Sequence, residues 1–337
     1  MDLFENPVGS RTTLLEGFVA AYIIRRLLIM IPMLLVISFL IYLGLELTPG
    51  DPVSYMIGPE ALANLSEAQL DAMREALGLN DPFLIRYGKW LFSVFHGDFG
   101  YSLTSGVAIK DIVKTRLPAT MELAGIALIL STLFGSLLGT ISALKRGSIG
   151  DNALTVAGMM GVSIPQFFFG LVAILIFALR LNWLPAGGRT LPGYQGFMDR
   201  LPNLLMPSLV MALSMTAGVM RYARSSMLDA MNKDFIKTAR SKGLPEWRVN
   251  LIHGFRFALT PVVVLIGFRL PTLVGGSVVL ETVFQWPGVG REFVAAVRGQ
   301  NYPLVMMIAL LMVSVMLFAS FLVDVLTAWL DPRIKLG

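Results

Sequence analysis

Six long apolar runs recur along the chain, and each is about as long as a bilayer's hydrocarbon core is thick. The first, Leu27 to Leu47, supplies ~20 residues, enough for a helix to cross ~30 Å. It is longer than the apolar core of a secretory signal, and Thr48-Pro49-Gly50-Asp51-Pro52 is not a small-residue cleavage site, so the run reads as a retained span. The others are Leu117 to Leu144, Asn152 to Leu179, Leu204 to Met220, Ala258 to Leu280 and Tyr302 to Leu330. Helices satisfy their own backbone groups in lipid, and the expected fold is an all-α integral membrane protein with six transmembrane helices. A 55% apolar, 15% charged composition agrees, being too apolar for a soluble domain.

Basic residues orient the spans. Segments on one side (before Leu27, Lys145-Arg146, Arg221 to Arg256, and the tail) hold fifteen Lys or Arg, against five in the two short loops opposite. By the positive-inside rule both termini are cytoplasmic. The expected organisation is a lead at 1–26, span 1 at 27–47, an external insertion at 48–116, and spans 2 to 6 at 117–330. An inner loop fills 221–258 and a cytoplasmic tail 331–337. The same rule explains the net charge of +5, and no basic cluster interleaved with aromatics suggests nucleic acid. Within the insertion, Ser66 with Gln69 forms a capping-box start for a helix ending at Gly78, and Pro82 to Phe95 forms a second. Ser163-Ile164-Pro165 interrupts the third run and needs neighbouring helices to satisfy it.

The sequence also excludes chemistry. Without Cys there are no disulfides or thiolate metal sites, and His96 and His253 are far apart, so no metal or cofactor is expected. The Gly-Lys pair at Gly88-Lys89 precedes Trp90 rather than Ser or Thr, so there is no phosphate loop. No H-E-x-x-H or G-x-S-x-G motif is present either. The chain is expected not to be an enzyme, and ATP-driven work has to arrive through a partner.

The inner loop is the obvious port. Asp234 to Pro261 carries Lys237, Arg240, Lys242, Arg248 and Arg256 and reads as two short helices around a stop. Asp234 is the expected N-cap, with Arg240 and Lys242 in the last turn, where cations suit the helix dipole. Gly243 takes the left-handed position after the helix, Leu244 folds back as its apolar contact, and Pro245 opens the next helix.

Lys237-Thr238-Ala239, three residues, then Gly243 resembles the variant "EAA" loop of binding-protein-dependent ABC importers, with Lys237 where the wider superfamily has Glu. Asp234-Phe235-Ile236 before it, with His253, Arg256 and Pro261 after it, narrows the resemblance to the dipeptide/oligopeptide permeases. So do Pro49-Gly50-Asp51-Pro52, Gly97-Asp98-Phe99-Gly100-Tyr101-Ser102, Lys145-Arg146-Gly147-Ser148, Trp286-Pro287-Gly288-Val289-Gly290-Arg291 and Asp331-Pro332-Arg333, in shared order and spacing. The resemblance covers the chain from Tyr22 onward and implies a type I ABC importer transmembrane fold in a bacterial inner membrane. It implies a permease subunit that pairs with a second, similar permease, two ATP-binding cassette ATPases and an external substrate-binding protein. Asp234, Lys237, Thr238, Ala239, Arg240, Lys242, Gly243 and Leu244 would then form the ATPase-coupling loop. Peptides are the favoured substrate by resemblance alone.

Arg269 lies near the middle of the fifth run, where a cation costs ~2.5–3.5 kcal/mol or more. One reading pairs it with an acid, with Glu122, Glu46 and Asp324 as candidates; the other turns it toward the pathway and a substrate carboxylate. Glu46 and Glu122 otherwise read as structural residues near the outer interface. Gly275, Gly276 and Ser277 suit close helix packing, with pathway lining the alternative. The rival class is an ATP-independent secondary transporter or channel of six spans. It would more often show paired intramembrane acids or an inverted repeat.

Overall fold

The computed structural model describes residues 8–48, 53, 66–76, 78–190 and 196–330. Pro49 to Pro52, Asp331-Pro332-Arg333 and the side-chain surroundings of Gly276 lie outside the described residues.

The described chain is helical, apart from one isolated antiparallel bridge between Tyr101 and Ala108. Helix α1 (Val8–Glu46) is followed by α2 (Glu67–Ala76), α3 (Phe83–Phe95) and α4 (Ile109–Leu144). Next come α5 (Ile149–Ser163) and α6 (Gln166–Ala173), the latter passing into a π-helical stretch, Ile174–Arg180. Helix α7 (Phe197–Met231) leads to α8 (Asp234–Ser241). The single turn α9 (Glu246–Arg248) runs through π-helical Val249–Phe255 into α10 (Arg256–Val283), and α11 (Val289–Arg298) and α12 (Tyr302–Leu330) complete the order.

Helices α1, α4 and α7 extend well beyond their apolar runs, because apolar length reports membrane thickness whereas a helix continues until its backbone bonds are broken. The third span breaks at Ser163-Ile164-Pro165, where the sequence places its interruption: α5 and α6 with its π extension meet at 100°, giving five helices long and apolar enough to cross a membrane, or six crossings with the bent pair counted as one. Pro165 has no N–H to give and holds Ile164 extended, so the ladder breaks there.

Helix α7 is the hub. The rest of the chain buries 72% of its most apolar stretch, against 6% for α1. Its closest seam is with α4, where Gly135 and Gly139 form a small-xxx-small pair. A Cβ on Gly135 would come within 2.5 Å of Val219 Cβ, and one on Gly139 within 2.5 Å of the Met220 carbonyl. Only hydrogen at these positions lets the two backbones approach so closely. Helices α5, α6 and α10 pack on the remaining faces of α7, and α12 joins α10 to α1.

Helix α3 lies against the C-terminal half of α1. Tyr87 Oη is 2.8 Å from Ser38 Oγ and donates to the Leu35 carbonyl at 3.2 Å, while Phe39, Tyr42, Phe83 and Trp90 stack around it. Arg86 pairs with Glu46. The opposite face of α3, with Leu84, Ile85, Phe92 and Phe95, is exposed.

At the C-terminal end of α10, Phe284 and Trp286 join Leu123, Leu204 and Leu280 in a buried apolar layer. Glu281 sits fully buried among them. Thr120 Oγ1 donates to Glu281 Oε1 at 2.7 Å, the Arg291 N–H donates to Oε2 at 3.0 Å, and the Val289 N–H closes the knot on Thr120 Oγ1 at 2.8 Å. Trp286 Nε1 donates to the Ala119 carbonyl at 2.8 Å. The Trp-Pro-Gly-Val-Gly-Arg string thus folds over the ends of α4 and α10. Asn301 stitches the Gly97 to Ser102 segment alongside, accepting from the Leu103 N–H and donating to Ser102 Oγ.

Candidate functional site

The loop between α7 and α10 is built around a helix stop. Lys242 N–H bonds the Thr238 carbonyl, Gly243 N–H the Arg240 carbonyl at 2.9 Å, and Leu244 N–H the Ala239 carbonyl at 3.4 Å. With Gly243 at φ +72°, this is the paired closure that satisfies the last carbonyls of a helix, and Leu244 returns to the apolar side as expected. The start differs from expectation. Lys233, extended at φ −79° and ψ 151°, is the N-cap, and Asp234 is the first helical residue, paired with Lys237 at 2.9 Å. An acid in the first turn still suits the dipole.

The second half of the loop also differs. Pro245 caps a single turn, and the chain continues through the π-helical stretch into α10 without a further break. The stop therefore joins one short helix to the foot of the fifth span. Arg240 crosses it, donating from Nε to Glu246 Oε1 at 2.9 Å and from Nη2 to Oε2 at 3.2 Å. Ile236, Ala239 and Val249 are buried together, with Met231 and Leu244 packed against them. The eight loop residues therefore divide. Ala239 and Leu244 seat the helix on its own chain; Asp234, Lys237, Thr238, Arg240, Lys242 and Gly243 are exposed.

On α5, Asp151 ties three helices together. Arg224 of α7 grips it with Nε and Nη2, both at 2.9 Å. Ser142 of α4 donates its hydroxyl, and the Gly147 N–H donates at 3.0 Å. Sequence reading missed this acid, although Ser148-Ile149-Gly150-Asp151 has capping-box spacing and the Asp151 N–H does bond Ser148 Oγ. Glu281 was missed too; a lone acid near the end of an apolar run was the available signal.

Midway along α10, Arg269 borders a cavity of about 360 Å³ at the α5–α6 break, lined by Val162, Ile164, Pro165, Gln166, Met211, Ser214, Met215 and Leu273. Gln166 Nε2 donates to Ser214 Oγ at 2.5 Å. The guanidinium lies over Gly218 of α7, where a Cβ would come within 2.2 Å of Nη2. The three acids considered for Arg269 are held elsewhere: Glu46 by Arg86, Glu122 by Arg189 at 2.5 Å with Arg200 at 3.9 Å, and Asp324 by Arg26 at 2.9 Å. Gly275 faces open space and Ser277 is buried. Neither borders this cavity, whose lining on α10 is Arg269 and Leu273.

Residues 135–336 match the family described as "Binding-protein-dependent transport system inner membrane component", and residues 19–124 match "Binding-prot-dependent transport system membrane comp, N-term". Over 318 residues the chain is 39% identical to the oligopeptide transport system permease protein AppB of Bacillus subtilis (strain 168), covering 94% of this chain and 99% of that one. It is 34% identical over 336 residues to the dipeptide transport system permease protein DppB of Escherichia coli (strain K12), covering 93% and 98%. The di/tripeptide transport system permease protein DppB of Pseudomonas aeruginosa (strain UCBPP-PA14) is 34% identical over 334 residues, covering 94% and 98%.

Proposed function

The chain belongs to the family of binding-protein-dependent transport system inner membrane components, and from that premise we propose that it forms half of an ATP-driven import pathway for peptides. A second, similar permease supplies the other half, two ATPase subunits bind the inner face, and an external binding protein delivers the solute. The peptide assignment follows the names of the relatives.

The observation that carries the coupling role is the construction of α8. Its buried side is locked to the foot of α10, while Asp234, Lys237, Thr238 and Lys242 are free to meet another protein. ATP binding draws the two ATPases together and pulls on this surface. Because Ile236, Ala239 and Val249 share one core, the pull enters α10 and reaches Arg269. Through Met231 it also enters α7, and the Asp151–Arg224 clasp passes it to α4 and α5. The bundle then alternates between inward- and outward-open arrangements. Both termini and the α8 loop are cytoplasmic in this scheme, the segment between α1 and α4 is external, and α10 lines the pathway at Arg269, with Gly275 to Ser277 nearer the outer mouth.

The test is gentle purification of the tagged chain from its own host, with mass spectrometry of what accompanies it. Recovery of a second six-span protein, Walker-motif ATPases and a binding protein is expected. Recovery of the chain alone, still moving solute in liposomes without ATP, would transfer the assignment to a secondary transporter.

A further inference from the structure

We infer that the cavity beside Arg269 is a transit site for the free carboxylate of the solute; this rests on the import reading above and names the group that the site recognises. Three polar groups converge there from three helices: the Arg269 guanidinium from α10, the Gln166 amide from α6 and the Ser214 hydroxyl from α7. A guanidinium offers a planar fork that matches a carboxylate with two parallel bonds. Here it stands near mid-span, about 13 residues above the inner start of α10 at Arg256 and 15 below Phe284, so low-dielectric walls concentrate its field on the cavity. A volume of about 360 Å³ is at the small end for ligand pockets, room for the end of a peptide rather than the whole of a long one.

The remaining walls explain how one site could pass many sequences. Met211 and Met215, with Val162, Ile164 and Leu273, make up most of the rest of the lining. Unbranched, polarisable Met side chains repack around differing neighbours at little cost. The site therefore fixes a feature every peptide has, its terminal carboxylate, and adapts to the side chains that vary. Gly218 is part of the arrangement, since a methyl group there would occupy the guanidinium's place.

The chain has no Cys, so a single introduced thiol reports on the cavity without background. Ser214→Cys, with Val162→Cys as a second position in case the first disturbs folding, is labelled in membranes of cells carrying the full complex. The probes are anionic and cationic methanethiosulfonates. The anionic probe is expected to react roughly tenfold faster, as for a unit charge some 6 Å away in a watery site. Adding Arg269→Gln should remove that preference. Equal rates, faster cationic labelling, or no labelling at either position would overturn the inference. A second arm compares uptake of a labelled dipeptide with uptake of its C-terminal amide. Arg269→Gln should lower uptake of the acid at least several-fold more than that of the amide, and equal loss of both would overturn the carboxylate assignment. If the parent complex takes up neither, the peptide reading fails, while the labelling arm still decides whether the cavity selects anions.

Discussion

Glu281→Gln is a nearly isosteric change whose cost follows from the knot that holds the residue. The carboxylate is fully buried, and its two oxygens take different donors, Thr120 Oγ1 on Oε1 and the Arg291 N–H on Oε2. A carboxamide keeps one acceptor and turns a donor toward the other partner. Thr120 Oγ1, which already accepts from the Val289 N–H, can take the amide N–H on its second lone pair, but its own O–H then loses the acceptor it had on Oε1. One buried donor is left unmet at ~1–3 kcal/mol, and the bond that survives loses its charge assistance. The expected loss is therefore about 2 kcal/mol, a factor of roughly 30 in the folding equilibrium. Reversible unfolding of the purified chain by SDS in mixed micelles, followed by circular dichroism and tryptophan fluorescence, measures it. Glu281→Ala should be worse, since it orphans both donors and opens a cavity. If Glu281→Gln matches the parent within ~0.5 kcal/mol, the buried acid is not what organises the outer end, and the reasoning fails.

Other expectations follow from the same contacts. Gly243→Ala forces a side chain into the left-handed region at φ +72° and should cost ~1–2 kcal/mol in the same titration, with a loss of ATP-driven uptake greater than the loss of folded protein. Asp151→Asn should lower uptake about tenfold while partner subunits still copurify, the size of effect seen when an element that joins moving parts is loosened; unchanged uptake would remove the clasp from the transmission path. Spin labels on single thiols at Phe92 and Phe95 should be relaxed by oxygen more than by a water-soluble nickel chelate, because the exposed face of α3 is apolar and its other face bonds to Leu35 and Ser38 of α1. The reverse ratio would place α3 in water.

Local rules made much of the inner loop legible. Gly243 and Leu244 behave as their positions require, because a helix stop is decided by a few adjacent residues. The Ser66–Gln69 capping box is present for the same reason, with the Ser66 N–H 2.9 Å from Gln69 Oε1. Asp234 was misplaced by one position because Lys233 takes the extended conformation that makes an N-cap, which residue type alone does not decide. Pairings between distant segments were not legible. Arg224 meets Asp151 across 73 residues, Arg189 meets Glu122 across 67, and Glu281 takes a hydroxyl from Thr120, 161 residues away, and a backbone N–H from Arg291 that no side-chain pattern announces. Ala239 matched a motif, but only packing reveals that it faces its own chain, so bulky replacements there would test folding before they test contact with a partner.

The 100° break between α5 and α6 also bears on electrical insulation. Backbone groups freed at such a break persist within a membrane only where protein or water satisfies them, and a cavity opens at this one. When water fills that cavity, it conducts, and the membrane voltage falls mainly across the dry layer that remains, the one containing Leu280, Phe284 and Trp286. A potential of 100 mV then acts at ~2.3 kcal/mol per elementary charge over only part of the bilayer thickness. The aromatic layer is thus the dielectric of a thin capacitor, and a small gap in it would leak ions long before it passed a peptide.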